Sequence, residues 1–219
     1  MGRRALRKPD PSLDLSRHLK TFDELPVPWN PEALFGRHAP LEIEVGCGKG
    51  LFLRTAAPAC PGRDFLGIEI VRKYAAFSAA GLVRRDIRNA VVVAGDAIRV
   101  FREILPDESA AGVHVYFPDP WWKKRHRKRR VIRAEFVRDV ERVLIPHGRL
   151  HFWTDVQEYF ETALETLAQE TTLLGPFEVH EAQPEHDLDY RTHFERRTRL
   201  HRETVHRAEF EKQGHPRRE

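Results

Sequence analysis

The chain has 219 residues, and its composition of 41% apolar and 32% charged residues is typical of a globular protein and not of a disordered one. It contains no uncharged stretch that approaches the length of a membrane span, and no apolar segment follows its basic first residues as in a secretory signal. The two cysteines, Cys47 and Cys60, provide no disulfide framework, so we expect a reduced, cytoplasmic protein without a membrane partner.

The positive charge of the chain is concentrated in residues 123–130, which we call the basic octet. Seven of these eight residues are Lys or Arg and the other is His126, whereas the net charge of the whole chain is only +4. Patterned apolar sequence flanks the octet on both sides, which is not typical of a disordered basic tail. A local excess of this kind predicts a binding site for a polyanion.

The secondary structure is predicted from proline content and apolar periodicity. Residues 1–40 are rich in proline and weak in periodicity, which predicts an N-terminal arm that is only partly ordered. Strands are predicted at residues 41–45, 64–70, 90–94, 113–117 and 149–154, with late candidates at 177–181 and 193–201. Helices are predicted at residues 51–58, 72–85, 97–105, 133–144 and 156–170. This alternation predicts an α/β fold with a mostly parallel sheet, helices on both faces and ligands at the carboxyl ends of the strands.

The first predicted strand is followed by the glycine cluster G-C-G-K-G at residues 46–50. Glycines in such a turn let the backbone approach a ligand closely. A dinucleotide site with the pattern G-x-G-x-x-G would have its third glycine at position 51, which is Leu51. Glu44, two residues before Gly46, would repel a pyrophosphate but suits a ligand that carries a cationic amino group and a sulfonium. The cluster therefore favours a site for S-adenosylmethionine.

Two further acids lie at the ends of the next two predicted strands. Glu69 lies 23 residues after Gly46, a distance at which an acid accepts hydrogen bonds from ribose hydroxyls in doubly wound nucleotide sites. Asp96 ends the third strand, where the adenine edge would lie. Each acid alone is more typical of a helix cap, but three acids at the ends of three successive strands predict one pocket.

The fourth predicted strand runs into Y-F-P-D-P-W-W, residues 116–122, which we call the acceptor loop. Prolines on both sides of Asp119 stiffen its backbone, and the aromatic rings around it suit a flat, nitrogen-rich base. Stacking a base on an aromatic ring contributes about 1–3 kcal/mol. Of Trp121 and Trp122, we expect one to pack against the protein. The basic octet would then hold the phosphates around the base.

Across roughly residues 40–200, the chain resembles the bacterial tRNA (guanine-N7)-methyltransferase family. The resemblance rests on L-E-I-E-V-G-C-G-K-G, F-L-G-I-E-I, the pair Gly95-Asp96, Y-F-P-D-P-W-W-K-K-R-H, F-W-T-D and Y-R-T-H-F-E-R-R. The first three segments are shared by many methyltransferases, whereas P-D-P-W followed by K-K-R-H and a late T-x-x-E is far more specific. The position after Trp121 is often proline or histidine in relatives, and here it is Trp122.

The resemblance implies a Rossmann-like class I methyltransferase fold with a mostly parallel seven-stranded sheet. It implies transfer of a methyl group from S-adenosylmethionine to guanine N7 at position 46 in the variable loop of tRNA. It implies that the cofactor pocket is lined by Glu44, Gly46, Gly48, Glu69, Asp96 and Asp119, and that substrate is held by Lys123, Asp155, Thr192, His193, Phe194 and Glu195. We expect no metal ion, and either a monomer or a homodimer. The domains would be the arm at 1–40, the methyltransferase domain at 41–204 and a C-terminal tail at 205–219.

The predicted chemistry needs no base at the reacting atom. Guanine N7 has a free lone pair and no proton, so attack on the sulfonium methyl leaves positive charge spread over the purine. A carboxylate beside the purine stabilises that charge as it develops. We therefore predict that Asp119 is the catalytic residue, which orients guanine and stabilises charge with help from Asp155 and Glu195.

Three other interpretations remain open on the residues alone. A methyltransferase for an exocyclic amine typically has Pro-Pro and an aromatic residue after the acid, whereas here one proline separates Asp119 from Trp121. An RNA-binding module that has lost catalysis is disfavoured because the glycine cluster and the pocket acids are intact. A nicotinamide-dependent dehydrogenase is disfavoured by Leu51 and Glu44.

Overall fold

The computed structural model describes residue 6 and residues 9–179, 192–201 and 203–214. Within these residues the chain forms one sheet of eight strands, in the order β1-β4-β3-β2-β5-β6-β8-β7. The strands are β1 (Leu19–Thr21), β2 (Leu41–Val45), β3 (Asp64–Glu69), β4 (Ala90–Ala94), β5 (Ala110–Tyr116), β6 (Leu144–Thr154), β7 (Leu174–Phe177) and β8 (His206–Glu211). Strands β1 to β6 pair in parallel, and β8 pairs antiparallel with β6 and β7.

The described part of the chain has seven α-helices, of which the middle five lie close to predicted positions and the first and last were not predicted as helices. The seven are α1 (Pro31–Phe35), α2 (Leu51–Ala59), α3 (Arg72–Val83), α4 (Ala97–Arg99), α5 (Ala134–Val143), α6 (Gln157–Glu170) and α7 (His193–Leu200). A π-helical turn, Val100–Ile104, continues α4, and a 3-10 helix, Lys124–Arg129, contains most of the basic octet. The predicted α/β fold with helices on both faces of a mostly parallel sheet is confirmed.

Apolar side chains on the two faces of the sheet form two cores, as expected where helices cover both faces of a parallel sheet. On one face, Ile43 of β2 packs in the same core as Phe136 of α5. On the other face, Phe65 of β3 packs in a core with Leu53 of α2 and Leu82 of α3. The five central strands are therefore fixed between two helical layers.

Several of the sequence predictions differ from the structure. The sheet has eight strands where seven were expected, because β1 from the predicted arm pairs with β4. The strand predicted at 193–201 is wrong, since these residues form helix α7. Its first turn is capped by Thr192, whose Oγ1 accepts a hydrogen bond from the amide of Glu195 at 2.9 Å. The buried side chains there, Glu195 and Thr198, have helical spacing.

The end of the chain also contributes to the sheet. The candidate strand 177–181 corresponds only to the last residue of β7, and residues 180 and 181 lie outside the described residues. Strand β8 lies within the segment expected to be a C-terminal tail, and it buries Ala208 and Phe210 against β6.

The fold brings the ends of five parallel strands to one edge of the sheet, which we call the carboxyl edge. The strands that end there are β2 at Val45, β3 at Glu69, β4 at Ala94, β5 at Tyr116 and β6 at Thr154. The opposite edge, where these strands begin, is the amino edge. In open α/β sheets, ligands bind outside the carboxyl ends of the strands.

Candidate active site

The glycine cluster forms a tight loop between β2 and α2. Gly46, Gly48 and Gly50 have φ angles of +76°, +52° and +67°, a region that other residues rarely adopt. The amides of Gly46 and Cys47 both donate to the carbonyl oxygen of Ile68, at 2.8 and 3.1 Å, which ties the loop to β3. A Cβ atom built at Gly46 would meet nothing within 4 Å, so open space lies beside the backbone here. The loop therefore has room for a ligand in close contact with its backbone.

Glu44 is a buried acid with one unsatisfied oxygen. The residue is 2% exposed, and no group among the described residues donates a hydrogen bond to its Oε2 atom. Burial, with a smaller contribution from the charge of Glu69, raises the pKa of the Glu44 carboxyl to about 8. An orphaned buried carboxylate fits a ligand that brings a cation, such as the amino group of S-adenosylmethionine, because pairing would compensate its burial.

Glu69 links the glycine loop to the end of β3. Its Oε2 accepts from the amide of Gly48 at 2.9 Å, and its Oε1 accepts from the amide of Val71 at 2.7 Å. Burial raises the pKa of Glu69, these two amides oppose the shift, and the charge of Asp119 raises the pKa further. Strand β5 pairs with β2, so Asp119, in the loop that follows β5, lies at the same edge of the sheet as Glu69 and the glycine loop.

Asp96 follows β4 and caps α4. Its Oδ1 accepts a hydrogen bond from the amide of Ile98 at 2.9 Å, so the helix-cap interpretation is correct for one of its oxygens. The side chain is half-buried at the carboxyl edge, beside the end of the neighbouring strand β3. The structure thus brings all three strand-end acids to one edge of the sheet.

The acceptor loop is held in an unusual backbone conformation. Phe117 and Trp121, on either side of Pro118-Asp119-Pro120, have φ angles of +50° and +46°. Each such conformation costs about 1–3 kcal/mol and persists only where the surroundings impose it. The amide of Phe117 donates to the carbonyl oxygen of Trp153 at 2.8 Å, which fixes the start of the loop to β6. The side chain of Asp119 is exposed.

The two tryptophans of the acceptor loop have different environments. The ring of Trp121 packs edge-on against His126, with 5.9 Å between centroids, and lies 5.0 Å from the guanidinium of Arg129. Trp122 is 67% exposed. One of the two therefore packs against the protein, as expected, and the other is open to solvent.

The basic octet is not uniform. Lys123, Arg125, Lys128 and Arg129 are exposed, as a phosphate-binding surface requires. Arg130 is only 4% exposed, and its Nε atom donates to the carbonyl oxygen of Pro120 at 2.8 Å. Its two terminal nitrogens donate to Glu158 on α6. Burial and these bonds occupy the guanidinium of Arg130, which distinguishes it from the four exposed cations of the octet.

The remaining predicted substrate residues either follow β6 or lie at the start of α7. Asp155 is half-buried directly after β6. The ring of Phe194 on α7 lies 5.2 Å from that of Phe117, which brings the start of α7 to the loop. His193 begins α7, and its side chain lies outside the described part, as do Tyr190 and Arg191. Thr192 caps α7 and is half-buried.

Glu195 has partners that the sequence did not predict. It is 2% exposed and contacts Arg199 at 3.4 Å and Arg207 of β8 at 3.5 Å. The guanidinium of Arg207 also lies 4.9 Å from the centre of the Trp153 ring. Arg207 was missed because it lies in the predicted tail, although the alternation of buried Ala208 and Phe210 indicates a strand there.

Other kinds of site find no support in the part of the chain that the structure describes. No group of three or more His, Cys, Asp or Glu residues is arranged to hold a metal ion in that part. No helix there is both long enough and apolar enough to cross a membrane.

The comparisons with known proteins agree with this geometry. A family model described as "Putative methyltransferase" matches residues 38–208. The tRNA (guanine-N(7)-)-methyltransferase of Rhodopirellula baltica is 50% identical over 220 residues, which cover 98% of this chain and 81% of that protein. The chain belongs to the tRNA (guanine-N(7)-)-methyltransferase family. Members of this family are enzymes that use S-adenosylmethionine as methyl donor. The prediction of a methyltransferase and the prediction of its donor are therefore confirmed.

Solved structures of other methyltransferases show the same fold. The aminoglycoside resistance methyltransferase NpmB1 aligns with a TM-score of 0.55 at 19% identity, over 83% of this chain and 91% of that one. A SAM-dependent O-methyltransferase from Thermotoga maritima aligns with a TM-score of 0.53 at 14% identity, over 86% of this chain and 64% of that one. The family shares its Rossmann-like architecture with these enzymes, and membership excludes the dehydrogenase interpretation.

Proposed function

We propose that the protein transfers the methyl group of S-adenosylmethionine to N7 of a guanine in tRNA, at position 46 of the variable loop. One observation carries the proposal beyond family membership: β5 pairs with β2, with Val115 opposite Val45, so the acceptor loop that follows β5 adjoins the glycine loop that follows β2. A base held at Asp119 would therefore lie close to a methyl group held at the glycine loop. We place this reaction in the cytoplasm.

The donor would be held by the acids and glycines at the carboxyl edge. Glu44 would pair with its amino group, since Oε2 of this buried acid has no hydrogen-bond partner among the described residues. Glu69 would accept hydrogen bonds from the ribose hydroxyls, and Asp96 would lie at the adenine edge. The loop around Gly46 and Gly48 would approach the ligand through its backbone, because glycine leaves that space open. The bound donor supplies a methyl group on a cationic sulfur.

The acceptor chemistry would depend on position and charge. No residue is needed to remove a proton from guanine N7, so proximity and alignment would supply most of the rate. Asp119 would accept hydrogen bonds from the N1–H and amino edge of guanine and would stabilise the positive charge that develops on the purine. Asp155 and Glu195 would assist, and Thr192, His193 and Phe194 would border the base.

The tRNA backbone would lie along the exposed part of the basic octet. Lys123, Arg125, Lys128 and Arg129 present four cations beside the acceptor loop. Contacts of this kind position a nucleic acid and carry no sequence information themselves. The exposed ring of Trp122 is available to stack on a base near the target.

The test is methyl transfer from labelled S-adenosylmethionine to unmodified tRNA, followed by borohydride and aniline, which cleave RNA at 7-methylguanosine. The matched control is the same tRNA with adenine at position 46. We expect one cut, in the variable loop of the first tRNA only. Label incorporated without that cut would contradict the N7 assignment, and a cut at another position would contradict the assigned nucleotide.

A further inference from the structure

The last arginine of the basic octet is directed into the protein. Arg130 is 4% exposed, and its guanidinium stacks over the ring of Tyr159, with 4.5 Å between Cζ and the centroid. It donates to the carbonyl oxygen of Pro120 at 2.8 Å through Nε. It donates to the two carboxylate oxygens of Glu158 at 2.7 and 3.3 Å through its terminal nitrogens. Arg130 therefore joins the acceptor loop to the first turn of α6.

We propose that Arg130 and Glu158 form a positioning clamp that fixes Asp119 for the methyl-transfer step, and that Arg130 does not bind tRNA phosphate. This inference rests on the proposed function and deepens it. The clamp acts through the peptide next to Asp119, since the carbonyl that Arg130 holds belongs to the following residue, Pro120.

The backbone of the acceptor loop explains why a clamp is needed. The left-handed conformations of Phe117 and Trp121 are unfavourable for residues with side chains, so the loop would relax if it were free. The bond from Phe117 to the carbonyl oxygen of Trp153 holds its start, and the bond from Arg130 to Pro120 holds its end. Asp119 lies between these two anchors with its side chain exposed. A side chain on a restrained backbone loses less freedom when it meets its substrate.

The clamp is also connected to the second predicted substrate acid. Helix α6 begins at Gln157, two residues after Asp155, and Glu158 lies in its first turn. Tyr159, under the guanidinium of Arg130, accepts from the amide of Ile132 at 3.2 Å through its hydroxyl group. Arg130 therefore holds the acceptor loop against the same helix start that places Asp155.

The geometry argues against a phosphate role for Arg130. An arginine that binds tRNA phosphate has to expose its guanidinium to solvent, and Arg125 and Arg129 are exposed. Arg130 has all three guanidinium nitrogens in hydrogen bonds to Pro120 and Glu158. A phosphate that approached it would meet the carboxylate of Glu158 and would be repelled.

Positioning of Asp119 and binding of tRNA phosphate are distinguished by the methylation rate and the tRNA affinity of two variants. Arg130→Lys keeps the charge but cannot bind Pro120 and both oxygens of Glu158 together. Glu158→Ala removes a negative charge and leaves the arginine in place. A positioning clamp predicts that both variants lower the single-turnover rate at saturating tRNA by about 10- to 100-fold, as small misplacements of a reacting group do. It predicts that both keep wild-type tRNA affinity and the wild-type dependence of that affinity on salt.

The control is an arginine with similar bonds at the amino edge. Arg142 donates to the carbonyl oxygens of Phe101 and Leu105 at 2.6 and 2.9 Å and pairs with Asp107. Arg142→Lys should lower the melting temperature and leave the single-turnover rate unchanged. Titration with S-adenosylmethionine gives the fraction of each variant that is folded and competent. Glu158 has a 45% exposed side chain, so Glu158→Ala tests the clamp even if Arg130→Lys does not fold.

Wild-type rates in both clamp variants would overturn the inference. So would weaker tRNA binding with a reduced salt dependence in Arg130→Lys, which is the signature of a lost phosphate contact. A failure of the proposed function itself is distinguishable, because the wild-type enzyme would then form no 7-methylguanosine.

Discussion

The carboxylate of Glu69 accepts a hydrogen bond from the amide of Gly48, with 2.9 Å between Oε2 and the nitrogen. This bond joins the acid at the end of one strand to the glycine loop at the end of its neighbour. A second bond, from the amide of Val71 to Oε1, fixes the carboxylate on its other side. Because a carboxylate has about four lone-pair directions, both oxygens retain capacity to accept from ribose hydroxyls.

Glu69→Ala should weaken the binding of S-adenosylmethionine by about 10- to 100-fold, because hydrogen bonds to a charged group contribute about 1.5–3 kcal/mol. Isothermal titration calorimetry measures the affinity directly. The control is Glu103→Ala, which removes an exposed acid that pairs with Arg99 one helical turn away. Equal affinities in the two variants would remove Glu69 from the donor site.

Gly50→Ala should destabilise the protein by about 1–3 kcal/mol through overpacking. A Cβ atom at Gly50 would overlap the side chain of Ser78 on α3, and the φ angle of +67° adds strain. Gly62→Ala is the control, since a Cβ atom there meets nothing within 4 Å. Urea unfolding of the three proteins gives the comparison, and a Gly50 variant as stable as the Gly62 variant would contradict the packing.

The stability of the donor-free enzyme should depend on pH through Glu44. Its pKa is raised from 4.5 to about 8, so between about pH 5 and pH 8 the folded protein retains a proton that the unfolded chain has released. The free energy of unfolding therefore falls as pH rises through this range, by at most about 1.4 kcal/mol per pH unit. Glu44→Gln removes this loss, because its amide stays neutral.

The comparison is urea unfolding of wild type and Glu44→Gln at pH 5.5 and pH 7.5. The variant should gain stability relative to wild type at the higher pH. The same variant should bind S-adenosylmethionine more weakly, since it lacks the charge that pairs with the amino group. Stability curves that stay parallel across the two pH values would show that Glu44 ionises normally.

Binding of tRNA should weaken steeply as salt concentration rises, because the exposed octet residues displace counterions from phosphates. Removing one contact with Lys128→Met should reduce the slope of log affinity against log salt by about 0.7–0.9. Arg88→Met is the control, since it removes an exposed cation at the amino edge. A flat salt response in the wild-type enzyme would exclude octet–phosphate contacts.

The sheet and the pocket acids were predictable because buried parallel strands have a strong sequence signal. Strand β4 is an uninterrupted apolar run, β2 and β3 are mostly apolar, and each of the three ends at or just before an acid or a glycine. Since parallel strands end at one edge, their terminal residues meet in space. Glu44, Glu69, Asp96 and Asp119 could therefore be grouped without coordinates.

Other features depend on contacts that the local sequence does not contain. Helix α7 is short and highly charged, so its sequence has little apolar periodicity. The one local signal of a helix is Thr192, which caps its first turn. Strand β1 has three residues, and its identity depends on pairing with β4. Arg130 has the same charge as its neighbours, and its burial is decided by Glu158, 28 residues away.

The most direct test of the account is the single-turnover rate of methyl transfer by Asp119→Asn, measured with saturating tRNA and S-adenosylmethionine. The substitution keeps the shape of the side chain and removes its charge, and Asp107→Asn, an exposed acid at the amino edge, is the control. We predict a rate about 100- to 1,000-fold lower for Asp119→Asn, comparable to the loss of one stabilising group in an active site, while S-adenosylmethionine still binds. A wild-type rate in this variant would contradict the assignment of Asp119 and, with it, the acceptor site.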